Sequence, residues 1–370
     1  MNNNTVRLGN IFGIPLALDY SWFLVLVLFT WTFATGYYPA EFKNWSSLEY
    51  WLVGGVTALM LFLSVLLHEL GHSWTALHYK IPVKNITLYI FGGISQISEE
   101  PTSSLSEFWI SIAGPLVSFG LSGLFFLLTF VVSGFVPLLA LVKYLAYINL
   151  ILGVFNLIPG FPLDGGGVLM SLIWGATHDR RRAIIIASAV GTFFAYLFIF
   201  YGVFQILGGS LLNGLWVVFI GWFLISAARG QVAQEQVKTL LSGHKVAEVM
   251  SKAFTIVQAD TTLQSLVDDH ILGSRRSFIV KNGQEVTGLL TLHALKDIPR
   301  EKWSETTVAQ VMIPTSSWKE IGLETELWDA IAEMDRDGVN QLPVMNAGQI
   351  EGMLTREDII SFLQASHKAA

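Results

Sequence analysis

The sequence contains no cysteine. Disulfides, thiolate metal sites and a cysteine nucleophile are excluded, and any bound metal must be held by His, Asp or Glu. Charge is the second shortage. Only 14% of the 370 residues are Asp, Glu, Lys or Arg, and the mean hydropathy is +0.54. Soluble globular chains carry about 25% charged residues. Nor is there a basic excess to suit nucleic acid, since the formal net charge is −6. The shortage is uneven: residues 1–230 hold 9 basic and 9 acidic residues, and residues 231–370 hold 13 and 19. The whole net charge lies in the C-terminal part. This pattern predicts a membrane domain followed by a soluble domain, with the boundary near Arg229-Gly230. The apolar stretch that follows Arg7, from about Leu16, is longer than a signal-peptide core and has no clean cleavage site. It reads as a retained first span.

A membrane span needs about 20 apolar residues. Candidate stretches are Leu16–Tyr38, Tyr50–Leu67, Phe108–Val142 with a turn near Ser133-Gly134, Tyr144–Leu163, and Ala183–Ala228. The last is long enough for two spans, broken at Gly208-Gly209-Ser210 and Asn213-Gly214, so the expected total is six. Six spans put both termini on one side. That side carries Arg7, Lys80, Lys84, Arg180, Arg181, Arg182 and Arg229, and the other only Lys43 and Lys143. The excess of positive charge predicts cytoplasmic termini in a multi-pass cell-membrane protein. Between spans two and three, residues 81–97 are too short and too punctuated to cross. They read as a β-hairpin dipping into the membrane, with a turn at Gly92-Gly93. Such backbone is tolerated at depth only beside protein or a wet cavity.

One sequence within this apolar half carries chemistry: His68-Glu69-Leu70-Gly71-His72, at the cytoplasmic end of span two. On a helix, residues i and i+4 share a face, so two imidazoles can hold one zinc while the glutamate reaches a water on it. At this composition chance expects about 0.01 matches to H-E-x-x-H. The alternative is a pair of helix-end histidines with a capping glutamate. A third ligand is required. His78 lies six residues beyond His72 and faces away, and His178 sits beside Arg180–Arg182 in a loop. Asp164, in Asn156-Leu157-Ile158-Pro159-Gly160-Phe161-Pro162-Leu163-Asp164-Gly165-Gly166, is the favoured candidate over a plain capping role. Asn156 suits either a reactant-positioning group or a helix-to-helix hydrogen bond.

His68–His72, then Asn156-x-x-Pro159 and Leu163-Asp164-Gly165-Gly166, with Phe91-Gly92-Gly93 and Ala113-Gly114-Pro115, resemble the site-2 protease family of intramembrane zinc metalloproteases. The resemblance covers roughly residues 7–228. It implies that His68, His72 and Asp164 bind zinc, that Glu69 is the catalytic base and that Asn156 positions reactants. It also implies that the strand around Gly92, Gly93, Ile94, Ser95 and Gln96 pairs with unwound substrate. Gly167 departs from the basic or polar residue often found after Asp-Gly-Gly.

The C-terminal part repeats itself. Val246-Ala247-Glu248-Val249-Met250 recurs as Val308-Ala309-Gln310-Val311-Met312, and Gly288-Leu289-Leu290-Thr291 as Gly352-Met353-Leu354-Thr355. A repeated β-α-β-β-α unit of this length resembles a tandem pair of CBS domains. The resemblance implies dimerisation and an adenine-nucleotide site, with Thr355 and Asp358 at phosphate and ribose positions. The first repeat has Ala294 where Asp358 stands, so one good site at most is expected. The alternatives are a structural or dimerising module and an ordinary helix N-cap.

The expected architecture is therefore a polytopic α-helical membrane domain with a re-entrant β-hairpin (1–229), a linker (230–243) and an α/β tandem CBS domain (244–305 and 306–366). The expected activity is zinc-dependent cleavage of single-span membrane proteins near the cytoplasmic face. Its gating is expected in spans one, five or six, biased by the CBS pair. Two rivals remain compatible with the same residues. One is a membrane-anchored zinc protease cutting substrates at the cytoplasmic surface. The other is a CBS-regulated transporter or channel that uses the buried His and Asp for ions.

Overall fold

A computed structural model describes residues 5–90, 92–97, 100–270, 277–295, 298–346 and 349–369. The chain divides into two compact units, Met1–Glu235 and Gln236–Ala370.

The first unit contains six helices long and apolar enough to cross a membrane. Helix α1 (Tyr20–Thr32) continues through a π turn (Phe33–Tyr37) and a last turn (Tyr38–Glu41). Helix α2 (Ser47–His78) carries both motif histidines. Helices α3 (Ser104–Val131) and α4 (Val136–Asn156) follow, then a short α5 (Asp164–Thr177), α6 (Arg180–Leu207) and α7 (Leu211–Leu241). The ends have local causes. Ser46 and Ser103 open α2 and α3 with reciprocal capping boxes, to Glu49 and Ser106. Asp179 caps α6 through the Arg182 N–H.

The number of spans agrees with the sequence reading; several boundaries do not. The first span begins at Tyr20, because Ile14–Asp19 is a strand and the Asp19 carboxylate caps the helix through the Ser21 N–H. The turn after Val131 ends α3, and α4 starts at Val136 with a proline in its first turn. Lys143 therefore lies inside a helix, not in a loop. The helix expected to reach Leu163 stops at Asn156, and Asp164 instead opens α5, too short to span.

The hairpin over 81–97 exists as β3 (Val83–Tyr89) and β4 (Gly92–Ile97), paired antiparallel. Phe91 lies outside the described residues, and only the backbone of Ile94 is described. The hairpin is half of a larger sheet. β1 (Thr5–Ile11) pairs antiparallel with β2 (Ile14–Asp19), and β2 runs parallel to β3. The order is β1-β2-β3-β4, so β4 is an edge strand. The β1–β2 pair hides in sequence because Ile14–Leu18 is apolar and runs directly into a span.

Helices α2 and α3 pack closely at Gly71. A Cβ there would lie 2.9 Å from Val117 Cγ2 and 3.1 Å from the Ala113 carbonyl. Small residues at such crossings let helix backbones approach inside a membrane, where apolar burial gives no drive to associate.

The second unit holds two similar repeats, each a small sheet with packed helices. The first sheet has order β5-β6-β7-β8: β5 (Thr255–Gln258), β6 (Ser277–Asn282), β7 (Glu285–Thr291) and β8 (Ile313–Pro314). Helix α8 (Leu263–His270) packs on it. The second combines β9 (Ile321–Gly322), β10 (Gln341–Asn346) and β11 (Gln349–Thr355) with α9 (Leu327–Asp337) and α10 (Arg356–Ala369). The 230–243 stretch is helical as far as Leu241. The repeats exchange their opening turns. Val246 is buried in the core of the second repeat beside Leu327 and Met334, and its N–H donates to the Thr325 carbonyl. Val308 is buried in the first, beside Leu263 and Leu266, and its N–H donates to the Thr261 carbonyl. Each repeat needs the other to complete its core.

The close crossing at Gly71 gives a stability prediction. Gly71→Val should force the α2–α3 contact apart and cost about 1–3 kcal/mol, as overpacked sites do. Gly120→Val on α3, where a Cβ meets nothing within 4 Å, should not. Thermal unfolding of the two variants in the same detergent separates them; equal transitions would refute the crossing as a constraint.

Candidate metal centre

His68 and His72 sit one turn apart on α2 and are both buried. Their Nε2 atoms lie 3.3 Å from each other. Asp164 Oδ2 lies 3.1 Å from the first and 3.3 Å from the second. These were the predicted residues, and the fold brings them to one point although 92 positions separate His72 from Asp164. Among the described residues they form the one group of three or more His, Cys, Asp or Glu whose ligand atoms converge, all within 4.8 Å.

The fit to a metal ion rests on two observations. Two imidazole nitrogens and a carboxylate oxygen are the donor chemistry of a three-ligand zinc site with one open position. The space beside them is kept clear by Gly114 on α3. A Cβ there would lie 2.2 Å from His72 Nε2 and 2.6 Å from His68 Nε2. The far sides of the rings are also engaged. His68 Nδ1 meets the Ser118 hydroxyl at 2.8 Å, and His72 Nδ1 meets the Ile110 carbonyl at 2.6 Å.

Asp164 is delivered by a folded-back turn. The segment after Asn156 reverses and lets α5 start beside it. A Cβ on Gly165 would fall 2.4 Å from the Ile158 carbonyl, and one on Gly166 2.3 Å from the Phe161 N. Gly160 packs on Gly191 of α6 with similarly little room, 2.2 Å from a Cβ to the Gly191 Cα. Gly167, the departure from the usual pattern, has its own cause. A Cβ there would sit 2.2 Å from Ser111 Oγ and 3.2 Å from Glu107 Oε1, side chains of α3 that occupy the place.

Glu69 points at the sheet. Its Oε2 accepts from the Ser95 hydroxyl at 2.8 Å, and Ser95 also receives the Ser73 hydroxyl at 3.0 Å. Gly93 packs so tightly on Glu69 that a Cβ would lie 2.4 Å from its Cγ. Edge strand β4 thus passes directly over the motif carboxylate. Ser95 was expected to touch substrate; its hydroxyl is spent on Glu69. Gln96 is exposed, and Gly92 adopts a positive φ of 125°. Asn156 ends α4, half-buried. The expected outsiders are outside: His78 stacks on Trp74 at the end of α2, and His178 takes a left-handed φ of 58° just after α5.

In the second unit, the Thr355 hydroxyl and N–H both donate to Asp358 Oδ2, at 2.6 and 2.9 Å. The pair caps α10, which was the alternative reading for these two residues.

A polar cluster escaped the sequence reading. Arg180, at the start of α6, bridges Glu235 on α7 at 3.1 Å and Glu100, between β4 and α3, at 3.3 Å. Its guanidinium also lies 5.9 Å from the ring centre of Trp174 on α5. The run Arg180–Arg182 was visible, but nothing local says which arginine turns inward.

Comparison with known proteins identifies the family. The profile of peptidase family M50 matches residues 56–138 and 133–200, and that of the CBS domain matches residues 308–365. The protein sll0528 of Synechocystis sp., named as a zinc metalloprotease, is 35% identical over 372 residues, covering 98% of this chain and 97% of its own length. Rip3 of Mycobacterium tuberculosis, named likewise, is 30% identical over 362 residues, covering 96% and 92%. The solved site-2 protease from Methanocaldococcus jannaschii is 28% identical, spans 62% of this chain and 95% of its own, and superposes with a TM-score of 0.42. The chain belongs to peptidase family M50, the site-2 protease family of zinc metalloproteases, and carries a CBS domain.

Proposed function

We propose that this protein is an intramembrane endopeptidase that cuts single-span membrane proteins near the cytoplasmic face. The observation that carries the reading is the convergence of His68, His72 and Asp164 beside Glu69, under an edge strand. His68 Nε2, His72 Nε2 and Asp164 Oδ2 would hold the metal. Zinc bound there supplies a Lewis acid and lowers the pKa of its water to ~7. Glu69 takes the proton of the attacking water and returns it to the departing amide nitrogen. Ser95 orients the Glu69 carboxylate. Asn156 holds the substrate carbonyl as charge develops on its oxygen.

The substrate enters as an extended strand. A helix hides its peptide bonds in its own hydrogen-bond ladder, so a helical substrate must unwind first. β4 offers unpaired backbone groups at the edge of the sheet, and the space beside Gly92 is open. Addition along Gly92–Gln96 satisfies the unwound backbone, which the bilayer cannot. Hydrolysis at this depth separates the reading from a surface protease. A transporter would predict a function that survives Glu69→Gln, which the protease reading does not.

Both termini and the CBS pair are assigned to the cytoplasm on the charge of the short loops. Residues 1–229 make the protease domain, and 244–305 and 306–366 the two CBS modules, joined by 230–243. The CBS pair forms the dimer contact and carries one adenine-nucleotide site at Thr355 and Asp358, whose mutual capping bonds must open toward ribose. Modulation then travels through α7. That helix runs from Leu211 to Leu241. Arg180 ties it to α5, the helix that begins with Asp164, and to the segment following β4.

Two experiments test these assignments. Glu69→Gln should retain one zinc per chain yet slow cleavage of a membrane substrate by about 10²–10⁴-fold, whereas Asp164→Asn should lose zinc. Full activity in zinc-loaded Glu69→Gln would sink the protease mechanism, and unchanged zinc in Asp164→Asn would remove Asp164 from the ligand set. For modulation, cleavage is compared with and without ATP. Wild type should show a ratio different from one, and Arg180→Gln a ratio near one with zinc unchanged. A wild-type ratio of one rejects nucleotide control; an unaltered ratio in Arg180→Gln rejects the route through Arg180.

A further inference from the structure

An imidazole can give a cation only a nitrogen that carries no proton. His68 and His72 both aim Nε2 at the point shared with Asp164. In the neutral ring the proton then sits on Nδ1, and each Nδ1–H needs an acceptor at a fixed place. Helix α3 provides both. The acceptor for His72 is the Ile110 carbonyl at 2.6 Å, and for His68 it is the Ser118 hydroxyl at 2.8 Å. Residues 110, 114 and 118 recur every four positions and so share one face of α3. Between the two acceptors Gly114 slides beneath both rings.

The two acceptors differ in kind. A backbone carbonyl only accepts, and no substitution at position 110 removes it. The Ser118 side chain is a separable group, and it is fully buried, so water does not stand in for it. We infer that Ser118 is a positioning residue for the metal centre: its hydroxyl accepts from Nδ1–H in the His68 tautomer that presents Nε2, and so holds the ring plane toward Asp164. This inference rests on the zinc-ligand assignment proposed above. Ligand histidines in metal sites commonly depend on such a partner, and its loss typically costs about 10–100-fold in metal affinity. The pair also spans two helices, so the same hydrogen bond fixes the rotation of α2 about its axis relative to α3.

The test is zinc affinity, measured by chelator competition on full-length protein in detergent, for wild type, Ser118→Ala and Ser118→Thr. The unfolding temperature of each is recorded after metal removal and again after adding zinc alone. Ser118→Ala should bind zinc about 10–100-fold more weakly. Its metal-free unfolding temperature should stay at the wild-type value, and the rise on adding zinc should shrink. Ser118→Thr, which keeps the hydroxyl, should return to within a few fold of wild type. A lowered metal-free transition with unchanged zinc affinity would assign Ser118 to helix packing and overturn the inference. If both properties fall in Ser118→Ala, recovery of affinity in Ser118→Thr supports the positioning role, and failure to recover overturns it. A wild-type protein that binds no zinc would instead refute the ligand assignment itself.

Discussion

The metal centre depends on how closely helix α3 can lie against helix α2. Gly71 lets the backbones approach, and Gly114 leaves the volume into which the two imidazoles project. With any side chain at 114 the rings would have to turn away, and their Nδ1 partners at Ile110 and Ser118 would be lost together. In water, burial of apolar area could drive such a contact. Between lipid chains that drive is absent, so close packing and interhelical hydrogen bonds must hold the pair. The site is thus placed by the feature that also holds the bundle together at this level.

A second constraint follows from the surroundings of Glu69. A carboxylate deep in an apolar domain is costly unless it is paired or bonded. Here the Ser95 hydroxyl meets it, and Ser95 lies on the strand proposed to receive substrate. The proposed general base and the proposed substrate platform are consequently held together. Shifting β4 in register would move Ser95 off Glu69 and turn the strand's faces over, since side chains alternate along it. The pairing of β4 with β3, from Val83 opposite Ile97 to Tyr89 opposite Gly92, protects the base as much as it shapes the edge.

Much of this was legible in the residues. His68, Glu69 and His72 are adjacent in sequence and their shared face is a property of any helix, so the motif reads directly. Asp164 was reachable because an acid in an apolar stretch is rare. The ring partners were not reachable. Which residue of α3 meets His68 depends on the rotation and height of one helix against another, and nothing local encodes that. Strand β2 was lost for a different reason: Ile14–Leu18 is apolar enough to pass for membrane helix, and only the sheet partner at Ile86–Leu88 shows otherwise. Helix α5 was lost because three successive glycines, Gly165–Gly167, read as loop, whereas here they are helical and small to fit under Leu157, Phe161 and Ser111.

The same close packing at glycines continues from the Asp164 turn into the neighbouring helices. Gly191 of α6 lies against Phe161 in the turn that presents Asp164, with no space for a Cβ, 2.1 Å from the Phe161 carbonyl. Farther along, α6 meets α7 at Gly202, Gly214 and Gly221, again without room for side chains. Interfaces packed this tightly do not deform gradually; they move as units or exchange one arrangement for another. A displacement of α7 would therefore pass to α6 and from α6 to the Asp164 turn. Arg180, at the start of α6, adds an ionic tie to Glu235 of α7. Such a displacement would act on Asp164, the proposed third ligand. His68 and His72 share α2 with Glu69 and cannot move without it, while Asp164 stands on a separate short helix.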